Sequence, residues 1–62
     1  MPTIFVDGPP LHEIERKRQL VKELTDVAIK IYKIEHIIVI IRENAPENVG
    51  INGELIADRH KK

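Results

Sequence analysis

Five consecutive apolar residues, Ile37 to Ile41, read IIVII and constrain the fold more than any other feature of this chain. An unbroken apolar run of this length, rich in β-branched residues, is typical of a strand that is covered on both faces. The chain has 62 residues, and a chain of that size buries only about 60% of the surface that its unfolded form exposes. It cannot cover both faces of the strand by itself, so we expect another copy to cover one of them.

A strand and a helix are predicted before this run. Residues 3–6, TIFV, predict a short strand that ends at the turn formers of residues 7–10. From residue 11 the apolar period becomes that of an amphipathic helix, predicted over 11–32 with Pro10 in its first turn. The residues of its apolar stripe are Leu20, Val21, Leu24, Val27, Ala28 and Ile31.

The remainder completes a β-α-β unit with a small C-terminal hairpin. The second strand is predicted to end at residues 42–44, and Pro46, Gly50 and Gly53 then predict turns, the hairpin and a polar tail. We therefore expect a single domain over residues 1–62, of the α/β class with a two-layer α+β arrangement.

Composition excludes several classes of protein. Ten basic residues balance ten acidic ones, which disfavours nucleic acid and anionic membranes as partners. The chain has no cysteine, and its histidines, His12, His36 and His60, lack the paired spacing of a metal site, so we predict no metal. Its apolar runs are shorter than the roughly 18 residues of a membrane span, and no signal peptide pattern opens it, so we expect a cytoplasmic protein.

Self-association is the remaining way to stabilise so small a chain. Fully burying one Val or Ile side chain is worth about 1.5 to 3 kcal/mol. Several such side chains left in water would cost as much as the whole stability of a small domain, about 5 to 15 kcal/mol. We therefore expect an obligate homo-oligomer.

Four segments in order carry a family resemblance. They are the Met-Pro start with Pro2 opening the first strand, the amphipathic KRQLVKELTDVAIKI, the apolar IIVII, and NVGINGEL near the end. With these segments the chain resembles the 4-oxalocrotonate tautomerase family, of the tautomerase superfamily. The resemblance implies that Met1 is removed and that Pro2 is the catalytic base, with no cofactor. It also implies dimers with a four-stranded sheet and two helices on one face, and a hexamer of three such pairs.

An amino-terminal proline suits this chemistry for a physical reason. An α-amine has an ordinary pKa near 7.7 to 8, and an apolar pocket or nearby cations lower it by penalising the charged form. Such an amine is a free base at neutral pH and can take a proton from the 2-hydroxyl of a 2-hydroxydienoate and return it at carbon. A simpler interpretation also stands, because a proline suits the first position of a strand for steric reasons alone.

The chain departs from the family at its substrate-binding positions. The positions of the two family arginines fall at His12 and Ile38, and that of the pocket aromatic residue at Val49. Without a guanidinium, a dicarboxylate loses a charge-assisted contact worth about 1.5 to 3 kcal/mol. We therefore predict a 2-hydroxydienoate or phenylenolpyruvate-like carboxylate as the substrate, with weak activity on the dicarboxylate and a place in aromatic compound degradation.

Other residues are candidates for the pocket around Pro2. We expect Ile38, Val49 and Ile51 to line it, and His12 either to donate a hydrogen bond to a substrate oxygen or to be merely exposed. Arg42 is a fifth candidate, which only a neighbouring subunit could bring near Pro2; a strand-end charge or ion pair explains it more simply. The missing arginines also leave open a non-catalytic alternative, an oligomeric small-ligand binder or scaffold that keeps the fold.

Overall fold

Two parallel strands and the long helix that connects them make up most of the molecule. The computed structural model describes residues 2–59. Its main elements are β1 (Thr3–Gly8), α1 (Ile14–Tyr32) and β2 (Ile38–Glu43). The strands pair in parallel, with Thr3 opposite Ile38 and Gly8 opposite Glu43 at the two ends of the register. The predicted β-α-β unit and fold class are confirmed.

The element bounds differ from the predicted ones at the end of the sheet where both strands finish. β1 runs two residues further than predicted, β2 ends at Glu43 within the predicted range, and α1 begins at Ile14 rather than at residue 11, which leaves Pro10 in the connecting loop. The physical reason is a competing contact, since the Leu11 N–H donates to Glu43 Oε2 at 2.9 Å and holds this loop extended. At its other end α1 stops at Lys33, which adopts the left-handed conformation with φ of 59°.

The C-terminal segment folds back as the predicted hairpin and adds two short helices. A 3₁₀ turn is followed by two antiparallel strands and a final helical turn. These are the 3₁₀ turn Pro46–Asn48, β3 (Gly50–Ile51), β4 (Glu54–Leu55) and α2 (Ile56–Arg59). Asn52 and Gly53 link the strands with φ of 54° and 85°. Two adjacent positive φ values are those of a type I′ turn, which favours Asn-Gly. His60 and the rest of the predicted tail lie outside the described residues.

Within residues 2–59, nothing covers one face of the sheet. We define the outer sheet face as the residues of one strand parity, namely Thr3, Phe5, Asp7, Ile38, Ile40 and Arg42. Phe5 is 54% exposed and Ile40 is 40% exposed on this face. The predicted two-sided apolar strand is thus present, with one side open in the single chain.

The helix has a second open apolar surface. Of the predicted stripe only Ala28 is buried, whereas Val27 is 60% and Ile31 is 70% exposed. Leu20, Leu24, Val27 and Ile31 follow one another at helical spacing, the first two half-buried and the last two exposed, and we call these four residues the exposed helix stripe. Ala28 is also the one buried hydrophobic residue of the described chain.

The shape of the chain reflects this lack of an interior. Its radius of gyration is 15.0 Å, whereas a compact domain of the same length has about 11 Å. Its accessible surface is 5291 Å², against about 4100 Å² for a compact monomer of this mass. The excess surface is what association between copies would remove. Along residues 2–59, no helix has both the length and the apolar character needed to cross a membrane.

Candidate active site

Pro2 and Ile38 lie together where both strands begin. The Ile38 N–H donates to the Pro2 carbonyl oxygen at 3.1 Å, which ties the residue before β1 to the first residue of β2. Both residues are half-buried. The sheet therefore fixes the position of the Pro2 ring, and with it the nitrogen that the removal of Met1 would free. Met1 itself lies outside the described residues.

A pocket of about 410 Å³ lies at the opposite end, where both strands finish. Three segments build it, the end of β1, the loop after β2 and the C-terminal fold. Its lining residues are Asp7, Gly8, Pro9, Asn44, Pro46, Val49 and Ile56. Two backbone bonds place the C-terminal side chains here. The Val49 N–H donates to the Pro46 carbonyl at 3.4 Å, and the Ile56 N–H donates to the Val49 carbonyl at 2.8 Å. We call this space the strand-end pocket.

An arginine–aspartate pair stands beside this pocket. Arg42 Nε donates to Asp7 Oδ1 at 2.8 Å and Nη2 donates to Oδ2 at 2.7 Å, a bidentate contact between residues that are opposite in the register. The Arg42 guanidinium carbon also lies 4.7 Å from the centre of the Phe5 ring. The hydrogen bond from Arg42, above all, lowers the pKa of Asp7 below its ordinary value, and Asn44 contributes a further hydrogen bond.

The loop that carries His12 is held at this same end by Glu43. The Leu11 N–H and Lys17 Nζ both contact Glu43 Oε2, at 2.9 and 3.0 Å. These two donors, the Leu11 N–H first, lower the pKa of Glu43 below its ordinary value. His12 is exposed in this loop and lines a smaller pocket of about 250 Å³.

The Glu43 contacts predict a pH dependence of stability. Because the pKa of Glu43 is lower in the folded chain than in the unfolded one, its charged form stabilises the fold above the unfolded pKa. That stabilisation is lost as the pH falls below about 4. We expect Glu43→Gln to lower the Tm slightly at pH 7, and the gap to wild type to close toward pH 3. Tm measured across this range checks it.

Glu47→Gln is the matched control for that experiment. Glu47 is an exposed carboxylate of the 3₁₀ turn, at a different place from the loop that Glu43 holds. A gap between wild type and Glu43→Gln that stays constant down to pH 3 would contradict the assigned role of the Glu43 charge.

The structure divides the candidate residues between the two ends of the sheet. Pro2 and Ile38 are at one end, while His12, Arg42 and Val49 are at the other. A strand as long as β1 separates these ends by about 20 Å. Ile51 lies in β3, is 42% exposed, and is absent from the lining of the strand-end pocket. Within one chain the candidates do not form a single site.

Sequence reasoning missed several pocket residues. They are Asp7, Asn44, Pro46 and Ile56. Aligning the two predicted strands from their starts, Thr3 and Ile37, would place Asp7 opposite Ile41, whereas the observed register places it opposite Arg42. Within residues 2–59 no group of three or more His, Asp or Glu side chains is placed to hold a metal ion.

The chain is similar to one protein family and to several solved structures. The family model described as tautomerase enzyme matches residues 2–59. Among solved structures, DmpI from Archaeoglobus fulgidus is 44% identical with a TM-score of 0.83, and the match covers 92% of this chain and 100% of that one. A 4-oxalocrotonate tautomerase homologue is 26% identical with a TM-score of 0.83, covering 98% of this chain and 100% of that one. DmpI from Helicobacter pylori is 29% identical with a TM-score of 0.79, covering 92% and 98%. No curated protein matched.

A short β-α-β chain with a proline before its first strand and two open apolar surfaces has the tautomerase fold. The chain belongs to the tautomerase family, which confirms the resemblance. Membership supports a tautomerase-like function, an isomerase activity, and association of copies into a homo-oligomer.

Proposed function

We propose that this protein is a keto-enol tautomerase that uses Pro2, freed by removal of Met1, as its general base. Its substrate is a 2-hydroxydienoate or an enolpyruvate-type acid. The observation that carries the proposal is the placement of Pro2, held by its carbonyl against Ile38 in a chain whose family match begins at residue 2.

The chemistry requires a base that is neutral at the working pH. The Pro2 nitrogen takes the proton of the substrate 2-hydroxyl as the enol collapses to a ketone, and the resulting ammonium returns a proton to a carbon of the conjugated chain. Each turnover leaves the nitrogen as it began. Apolar surroundings such as Ile38 favour its neutral form, because they penalise the positive charge.

The candidate residues lie at two ends of the sheet, which supports an active site formed between two copies of the chain. Pro2 and the strand-end pocket lie about 20 Å apart in one chain, too far for one small substrate to reach both. We propose that Pro2 of one copy faces the strand-end pocket of another. His12 and Val49 then serve a neighbour's Pro2 rather than their own.

Two open apolar surfaces support an assembly larger than a dimer. A pair related by one two-fold axis has a single self-complementary interface. The outer sheet face and the exposed helix stripe belong to different layers of the chain, so covering both calls for a second kind of interface. We propose a hexamer built as a trimer of dimers, in which the sheets of each pair join into four strands.

Titration of the Pro2 amine tests the proposal directly. In assembled protein shown by mass spectrometry to lack Met1, we expect the pKa of the Pro2 nitrogen to lie about one unit below that of an ordinary α-amine. The measurement is ¹⁵N NMR against pH, with the peptide Pro-Thr-Ile-Phe as the reference. We also expect the Pro2 signal to shift when an unreactive enolate analogue is added.

The same titration separates a second candidate function. His12 and Ile38 occupy the positions of the two family arginines, and the lack of a guanidinium at both positions favours a small-ligand binder or scaffold without catalysis. For that function we expect a Pro2 pKa equal to that of the peptide and no response to the analogue. This result would overturn the proposed catalytic role of Pro2.

A further inference from the structure

We propose that Asp7 determines the charge selectivity of the active site by neutralising Arg42. The strand-end pocket then accepts the uncharged end of a monocarboxylate and rejects the second carboxylate of a diacid. This inference rests on the proposed function and names the substrate class of that same site.

The geometry of the pair is the first support. A guanidinium binds carboxylates bidentately through two parallel N–H groups. Arg42 already presents two N–H groups, those of Nε and Nη2, to the two oxygens of Asp7. The contact with the Phe5 ring further fixes the plane of the guanidinium. A substrate carboxylate would have to displace Asp7 to gain the same contact.

The charge of the pocket is the second support. Among residues 2–59, Asp7 is the one charged residue that lines the strand-end pocket, and its charge is matched by Arg42. The rest of the lining is apolar apart from Asn44. A pocket with no net charge and apolar walls binds a hydrocarbon end of a substrate better than an anion, which would lose its hydration there.

The cations nearest to the His12 loop are also held by carboxylates, as Arg42 is. Lys17 contacts Glu43 at 3.0 Å, and Arg16 contacts Glu13 at 3.0 Å. These two cations of the described chain, close to the His12 loop, are therefore already paired with carboxylates of the same chain. The pair formed by Asp7 differs from these two because it is the one that borders the strand-end pocket.

Asp7→Asn is the deciding variant. It keeps the side-chain shape but frees the Arg42 charge, so we expect the ratio of kcat/KM for a 2-hydroxydienoate diacid to that for the monoacid to rise about tenfold. Asp26→Asn is the matched control, because it removes one carboxylate from an exposed pair with Lys22 on α1. We expect no change in the ratio there. An unchanged ratio in an assembled Asp7→Asn protein would overturn the inference.

A second variant keeps the test valid where Asp7→Asn does not assemble. Arg42→Met leaves the Asp7 carboxylate unpaired beside the pocket, so we expect the diacid-to-monoacid ratio to fall below the wild-type ratio. A ratio that rises or stays constant contradicts the inference. Sedimentation of each variant shows whether assembly is intact.

Binding of unreactive acids separates this inference from the proposed function. Adipate and hexanoate have the same carbon number and differ by one carboxylate. We expect wild-type protein to bind hexanoate more tightly than adipate, and Asp7→Asn to narrow or reverse that preference, with a shift of the Arg42 Nε–H NMR signal on adding adipate. If the binding preference changes in this way but the protein turns over no substrate, the charge selectivity of the pocket is supported and the proposed catalysis is refuted. If turnover depends on Pro2 but Asp7→Asn leaves the binding preference unchanged, the proposed catalysis is supported and the role of Asp7 in selectivity is refuted.

Discussion

Capping the Pro2 nitrogen should lower the tautomerase rate by about 10² to 10⁴-fold, the usual contribution of a positioned general base. Inserting a lysine between Met1 and Pro2 creates a start from which the methionine is not removed, so the Pro2 nitrogen stays an amide. An amide nitrogen is not basic. The sequences of β1 and of the strand-end pocket are unchanged in this variant.

The measurement is kcat/KM on a 2-hydroxydienoate, with mass spectrometry to verify the chain start. Pro2→Ala is the companion variant, because its free primary amine keeps a base but loses the ring that fixes it. We expect a rate between those of the capped chain and wild type. Lys30→Ala, at an exposed position of α1, is the control with a free proline. A capped chain that works at the wild-type rate would remove Pro2 from the mechanism.

A charge placed on the outer sheet face should break the assembly and lower the activity with it. Phe5→Lys replaces a ring that is half exposed in the single chain and, in the proposed hexamer, covered by another copy. Burying a Phe side chain is worth about 1.5 to 3 kcal/mol, and the substitution removes this in every copy while adding a charge that resists burial. We expect smaller species at micromolar concentration and at least a tenfold loss of activity per chain.

Sedimentation velocity and the tautomerase assay, run at the same protein concentration, check this prediction. Gln19→Lys is the matched control, since it adds the same charge on the exposed polar side of α1. It should leave both measurements near wild type. A Phe5→Lys protein that sediments like wild type would show that the outer sheet face is not an interface.

Local patterns were sufficient to predict the elements of the fold. IIVII predicted a strand needing cover on both faces, and the structure leaves Ile40 uncovered. Gly50 and Gly53, with Pro46, predicted the hairpin that Asn52 and Gly53 close. Such features depend on residues close together in the chain, so periodicity and turn propensity suffice.

The bounds of the elements and the lining of the pocket could not be predicted from such local patterns. The helix start depends on Glu43, 32 residues from the Leu11 amide that it accepts from. The strand-end pocket joins Asp7 to Val49 and Ile56 through the way the hairpin folds back. Contacts at such separation follow from tertiary packing, which a single sequence does not encode in any local window. The Pro2 placement was accessible because it depends only on where β1 begins.

Ala28 alone is buried in the described chain, and this has a consequence for how the protein folds. For a polypeptide with so little interior we expect association of copies to supply most of the stabilisation, so that folding and assembly are one event governed by mass action. We therefore expect dilution to unfold the protein as heat does. A newly made chain should become stably folded only after it associates with other copies.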